Sequence, residues 1–77
     1  MQINVALIGY GYWGPNVARN LSSLSQYSLK YIIDLNEDSR LKASRNHPGV
    51  RILSRLDDML HDKSINLVVI ATPPISH

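Results

Sequence analysis

The stretch that decides the fold is Ile3–Asn16, INVALIGYGYWGPN. Its first six residues, INVALI, are apolar and partly β-branched, which is typical of a buried strand. Gly9, Gly11 and Gly14 then fall in the pattern G-x-G-x-x-G. Pro15 suits the first turn of a helix, where its missing N–H costs nothing. The stretch therefore predicts a strand joined to a helix by a glycine turn.

The same alternation continues along the chain. Three more strands are predicted at Leu29–Leu35, Val50–Leu53 and Asn66–Ala71. Two helices are predicted at about 15–24 and at about 37–46, the second with Asn36 as its N-cap. A third helix is predicted after Ser54 as N-cap, with Leu56, Met59 and Leu60 on one face. The order β-α-β-α-β-α-β predicts an α/β protein. It favours a partial Rossmann fold with a four-stranded parallel sheet in the order 3-2-1-4.

The glycine turn and one acidic residue predict a dinucleotide site. Gly9 permits the tight turn, Gly11 lets the backbone approach a pyrophosphate, and Gly14 allows close packing of helix and strand. Asp34 lies 20 residues after Gly14, where its carboxylate can accept from the ribose hydroxyls and repel a 2′-phosphate. NAD is therefore favoured over NADP, although Arg40 can swing toward a phosphate. Two alternatives to a dinucleotide site are a tight turn that binds no nucleotide and a turn that binds the adenosine of a methyl donor.

Composition excludes several classes of protein. The chain has 77 residues, a net charge of +2 and no cysteine, which leaves no disulfide framework, thiolate zinc site or cysteine nucleophile. Its short apolar runs exclude a membrane span, and a cytoplasmic location is expected. The basic residues near position 40 are mixed with acids and lack aromatic neighbours, which favours a solvated face over nucleic-acid binding. Asp58, His61 and Asp62 would share one helix face, again interpreted as solvated rather than as a metal site.

The sequence also resembles the glucose-fructose oxidoreductase and inositol dehydrogenase family. The likeness is carried by residues 5–16 (VALIGYGYWGPN), by Asp34, and by residues 71–77 (ATPPISH). The resemblance implies an NAD(H) site that is lined or framed by Gly9, Gly11, Tyr12, Trp13, Gly14, Asp34, Thr72, Pro73 and His77. Tyr12 and Trp13 can equally be packing residues, and His77 an inert chain end. The Tyr-Trp-Gly-Pro-Asn variant resembles the branch that acts on nucleotide-linked amino sugars at C3.

The resemblance also implies what the chain lacks. The family's catalytic Glu-Lys-Pro motif falls beyond residue 77, so no catalytic residue is assigned. We expect residues 1–77 to be the N-terminal portion of a dinucleotide-binding domain, without the substrate domain. The parent protein would transfer a hydride between the carbinol of a sugar or nucleotide sugar and nicotinamide, and this chain alone would be inactive. The alternative is a stand-alone, non-enzymatic nucleotide-binding or interaction module. The apolar fourth strand predicts self-association.

Overall fold

A computed structural model describes residues 2–72 as a four-stranded sheet with two α-helices. Strands β1 to β4 span Ile3–Ile8, Tyr27–Ile33, Arg51–Leu53 and Leu67–Ile70. Helices α1 and α2 span Gly14–Ser23 and Glu37–Asn46. A short 3₁₀ helix spans Leu56–Asp58. Every strand pairing is parallel, and the order across the sheet is β3-β2-β1-β4. The predicted α/β class and strand order are confirmed.

The second helix begins where the sequence predicted. The Asn36 side chain accepts a hydrogen bond from the backbone N–H of Ser39 at 2.9 Å, which satisfies one of the free amides of the first turn. Glu37 and Asp38 lie in that turn, next to the partial positive charge of the helix N-terminus. Asn36 is thus confirmed as the N-cap of α2.

The third predicted α-helix is wrong. The segment between β3 and β4 contains only the three-residue 3₁₀ helix, preceded by Arg55 at the N-cap position rather than Ser54. Its backbone bonds span three residues: the N–H of Met59 donates to Leu56, and the N–H of Asp62 donates to Met59. Tight turns of this kind rarely continue beyond three or four residues. The segment therefore reaches β4 through successive turns.

The core lies on both faces of the sheet. On the first face, α1 and α2 bury Ala18 and Ala43 against Leu7 and Ile32. On the second face, Met59 from the turn after the 3₁₀ helix packs in a buried cluster with Ala6, Tyr31 and Ile33. The second face thus has a turn where the sequence predicted a helix.

The β1–β2 pairing contains one irregularity. Val5 pairs with Leu29, but the next residue of β1, Ala6, pairs with Tyr31, so Lys30 has no partner on β1. Leu29 packs against the first core cluster, whereas Tyr31 belongs to the second. An extra residue in one strand changes which face the following side chains occupy. The bulge therefore places the Tyr31 ring beneath the segment that leads to β4.

Candidate functional site

The glycine turn lies at the carboxyl end of β1. The N–H of Gly9 donates to the carbonyl of Ile33 at 2.7 Å, and the N–H of Ala71 donates to Ile8 at 2.8 Å, so the ends of β2 and β4 flank the turn. Gly9 has a φ of +102°, in the region that side chains disfavour. In open parallel sheets, ligands bind in the crevice outside the carboxyl ends of the strands. The turn stands at the edge where such a ligand binds.

Thr72 is in contact with the glycine turn. A Cβ built on Gly9 would lie 3.0 Å from Cγ2 of Thr72 and 3.2 Å from its backbone nitrogen. The resemblance implies that Thr72 belongs to the NAD(H) site, and the structure brings it against Gly9 of the turn. Two other residues from the same prediction, Pro73 and His77, lie outside the described residues.

The other two glycines of the turn differ in what surrounds them. A Cβ on Gly14 would overlap the carbonyl oxygen of Gly9 and lie 2.8 Å from its carbonyl carbon. Gly14 is therefore required by the close approach of α1 to the end of β1. A Cβ on Gly11 would meet nothing within 4 Å, and Gly11 has no positive φ. The packing of the described residues therefore does not require glycine at position 11.

The Asp34 carboxylate is held by two backbone amides. Oδ2 accepts from the N–H of Tyr10 at 2.7 Å, and Oδ1 accepts from the N–H of Asn36 at 2.8 Å. The first of these bonds ties the acid to the glycine turn, and the second ties it to the N-cap of α2. A carboxylate has about four acceptor positions, so each oxygen can still accept from a ligand.

Two clefts meet at the glycine turn, and Gly9, Asp34 and Thr72 line both of them. The β3-side cleft, of about 390 Å³, is also lined by Ile8, Ile33, Leu35, Ser54, Arg55, Leu56 and Asp57. The α2-side cleft, of about 500 Å³, is also lined by Gly11, Tyr12, Asn36, Asp38, Ser39, Lys42 and Ala71. The β3-side cleft offers aliphatic side chains to a flat apolar group, and the α2-side cleft offers polar ones.

The aromatic pair of the turn is largely exposed. The side chain of Tyr12 is 75% exposed and lines the α2-side cleft, whereas Trp13 is 49% exposed at the N-cap of α1. Their ring centroids are 4.7 Å apart in an edge-to-face arrangement. Such an exposed pair contributes little to the core of this chain.

Arg40 holds the turn between β2 and α2. Its Nη1 donates to the backbone carbonyls of Asp34 and Leu35, both at 2.9 Å. The side chain lines a separate hollow with Glu37 and Leu41 rather than either of the two clefts. In this conformation the guanidinium contacts the turn, and its contact with a cofactor stays a prediction.

Sequence reasoning missed part of the cleft lining. The sequence predicts Leu56 on one face of a third helix with Met59 and Leu60, but it lies with Leu35 in the β3-side cleft. Ser39 and Lys42 on α2 were not singled out as cleft residues. The rule that ligands bind at the carboxyl ends of parallel strands would have pointed to the residues after β3.

The Asp58, His61 and Asp62 group does not form a metal site within residues 2–72, where no set of three potential ligands converges. Asp62 instead accepts from the N–H and hydroxyl of Ser64 and from the hydroxyl of Tyr31 at 2.6 Å. These bonds lower the pKa of Asp62 to about 2, and the bond to Asp62 raises the pKa of Tyr31. Asp62 therefore fastens the turn before β4 to Tyr31 on the second face of the sheet.

Residues 2–72 contain no helix that is long and apolar enough to cross a membrane.

Comparison with known proteins finds a matching family and several relatives. A family model described as "Oxidoreductase family, NAD-binding Rossmann fold" matches residues 3–77. Inositol 2-dehydrogenase from Renibacterium salmoninarum is 32% identical over 76 residues, which is 97% of this chain and 23% of the relative.

Two solved structures share the fold at similar sequence identity. GenD2 from gentamicin A biosynthesis, in complex with NAD, is 29% identical with a TM-score of 0.83, over 94% of this chain and 20% of that one. The WlbA dehydrogenase from Bordetella pertussis, in complex with NADH and UDP-GlcNAcA, is 28% identical with a TM-score of 0.82, over 95% of this chain and 22% of that one. This chain thus spans about a fifth of the length of these relatives.

Proposed function

Because this chain belongs to the oxidoreductase family with an NAD-binding Rossmann fold, we propose that it is the N-terminal part of the cofactor domain of a sugar or nucleotide-sugar dehydrogenase. The family is the one that the sequence resembles through residues 5–16, Asp34 and residues 71–77. The observation that carries the proposal is that Gly11 and Asp34 line one cleft at the carboxyl edge of the sheet, beside the N-terminus of α1. The cytoplasmic location stays a prediction from the sequence.

The residues present fit NAD by their chemistry. The free N–H groups at the start of α1 and the open backbone at Gly11 suit the pyrophosphate. The Asp34 oxygens suit the adenosine ribose hydroxyls, and the aliphatic side chains of Leu35 and Leu56 suit the adenine ring. The Asp34 charge opposes a 2′-phosphate, which favours NAD over NADP.

When bound, the cofactor supplies hydride transfer to or from a sugar carbinol. This chain's own contribution is to hold the dinucleotide and to fix its orientation. WlbA was crystallised with UDP-GlcNAcA, and the Tyr-Trp-Gly-Pro-Asn segment at 12–16 resembles the nucleotide-sugar branch. These two observations support a nucleotide sugar as the substrate of the parent protein. We expect no turnover from the 77 residues, because no catalytic residue is assigned within them.

A fluorescence titration tests the cofactor site. Trp13 is the only tryptophan and lies at the glycine turn, so NADH binding should quench its emission in a saturable way. NADPH should bind more weakly. Gly11→Ala should weaken NADH binding by about tenfold, equivalent to about 1.4 kcal/mol, because the methyl group occupies the space of the pyrophosphate.

Gly49→Ala is the matched control for Gly11→Ala. A Cβ at position 49 also meets nothing within 4 Å, and Gly49 lies far from the turn in sequence and lines neither cleft. NADH affinity should stay at the wild-type value in this variant. A folded wild-type chain with no response to NADH, or equal weakening by both substitutions, would refute the proposed site.

We also propose that two copies of the chain associate through β4. Among the described residues this strand pairs with β1 alone, and its sequence LVVI carries no charge. Ile70 is 68% exposed on it, and Leu67 and Val68 are exposed as well. The opposite edge, β3, has three residues and begins with Arg51, which blunts it. An apolar edge strand offers unpaired backbone groups to a second copy.

Sedimentation at increasing concentration tests this association. Ile70→Lys places a charge on the β4 edge and should yield a monomer. Leu41→Lys is the control, because Leu41 is 55% exposed on α2 and away from β4, and this variant should still associate. A monomeric wild type at high concentration would refute the proposal. If that monomer also bound NADH stoichiometrically, the stand-alone nucleotide-binding module would be favoured instead.

A further inference from the structure

We propose that Asp34 is a positioning residue that sets the glycine turn before any cofactor binds. The acid joins two segments distant in sequence: the N–H of Tyr10 donates to Oδ2 at 2.7 Å, and the N–H of Asn36 donates to Oδ1 at 2.8 Å. Hydrogen bonds from an amide to a carboxylate are shorter and stronger than those between neutral groups. Only the consequence for cofactor choice depends on the proposed function.

Tyr10 extends this connection to the far end of α2. Its ring is only 2% exposed and packs edge-to-face against His47 at 5.8 Å. Its hydroxyl accepts from Nδ2 of Asn46 at 3.0 Å, in the last turn of α2. Tyr10 is thus linked through Asp34 to the start of α2 and through Asn46 to its end. The glycine turn and α2 therefore form one hydrogen-bonded unit.

Arg40 completes the support from the other side of the turn. It donates to the carbonyls of Asp34 and Leu35, both at 2.9 Å, while the Asp34 carboxylate accepts from Asn36. The backbone between β2 and α2 is held by a side-chain donor and a side-chain acceptor at once. The orientation of the acid is consequently fixed in the free protein, with acceptor positions left for a ligand.

The consequence concerns changes of cofactor preference. Replacing Asp34 with a small neutral residue removes the charge that opposes a 2′-phosphate, but it also releases the Tyr10 and Asn36 amides. A neutral variant is therefore expected to lose the shape of the turn together with its preference for NADH. NADPH binding should not rise to the level of NADH binding in the wild type.

The test uses the full chain without cofactor. Asp34→Asn presents an NH₂ group to one of the two amides and leaves the other with a neutral, weaker acceptor, so the amide proton signals of Tyr10 and Asn36 should both move upfield. The melting temperature should fall by about 10 °C. Glu37→Gln is the control, since it removes the same charge three residues later and makes neither contact. It should leave the Tyr10 signal in place.

Each outcome decides the proposal. If Asp34 acts only on the ribose, Asp34→Asn will keep the cofactor-free melting temperature and the Tyr10 signal, which overturns the inference. If Asp34→Asn does not fold, the wild type decides: a through-hydrogen-bond coupling between the Tyr10 nitrogen and the Asp34 carboxyl carbon is expected, and its absence overturns the inference. If the wild type fails to bind NADH while the Tyr10 signal still depends on Asp34, the proposed function fails and this inference stands.

Discussion

The contact between Gly14 and Gly9 makes Gly14→Ala the sharpest test of how α1 is joined to the sheet. The added methyl group would overlap the carbonyl oxygen of Gly9 and lie 2.8 Å from its carbonyl carbon. Both atoms belong to the backbone at the end of β1, which pairs with β2 on one side and β4 on the other. They cannot rotate away as a flexible side chain would. Either α1 or the end of β1 must move.

The expected loss is large for a chain of this size. Overpacking of a well-packed contact costs about 1–3 kcal/mol, and a backbone clash places Gly14→Ala at the upper end, about 3 kcal/mol. Each kcal/mol lowers the melting temperature of such a domain by about 4–8 °C, so a fall of about 12–24 °C is expected. The whole free energy of unfolding is about 4–12 kcal/mol for a domain of this length.

Thermal unfolding followed by circular dichroism measures this effect, with Gly11→Ala as the matched variant in the same turn. Position 11 has open space around its Cβ, so the melting temperature should stay near the wild-type value or rise slightly. A melting temperature of Gly14→Ala within about 5 °C of the wild type would refute the reasoning, because the helix could then approach the strand differently without loss.

Two further predictions concern the second face of the sheet. Hydrogen bonds from Ser64 and Tyr31 lower the pKa of Asp62 from 3.8 to about 2, so its ionised form stabilises the fold above about pH 4 and this contribution is lost as the pH falls toward 2. Asp62→Asn should therefore have a lower melting temperature than the wild type at pH 6, and this difference should disappear near pH 2. A difference in melting temperature that does not depend on pH would contradict the prediction. Met59 is 3% exposed, whereas its neighbour Leu60 is 64% exposed. In urea unfolding, Met59→Ala should therefore lower the free energy of unfolding by about 2–5 kcal/mol, while Leu60→Ala changes it little. Equal losses in the two variants would show that the turn at Met59 does not cover the second face of the sheet.

The sheet could be predicted from the sequence because each strand carries its signal locally. The apolar run at Ile3–Ile8 and the alternation of strands and helices leave few right-handed parallel topologies. The glycine spacing and the acid at position 34 likewise predict the dinucleotide site from the sequence. The lining at Leu56 was missed because Leu56, Met59 and Leu60 also fit one face of a helix.

The sequence by itself determined the strand order, the glycine turn and the acid that faces it. It did so because the apolar periodicity of the strands, the glycines of the turn and the spacing to Asp34 can all be read along the chain. Only the tertiary structure decided that the third helix becomes a 3₁₀ turn and that Asp34 joins Tyr10 to Asn36. The Tyr10–Asp34 and Tyr31–Asp62 hydrogen bonds join residues that are 24 and 31 positions apart, and no local pattern encodes such contacts.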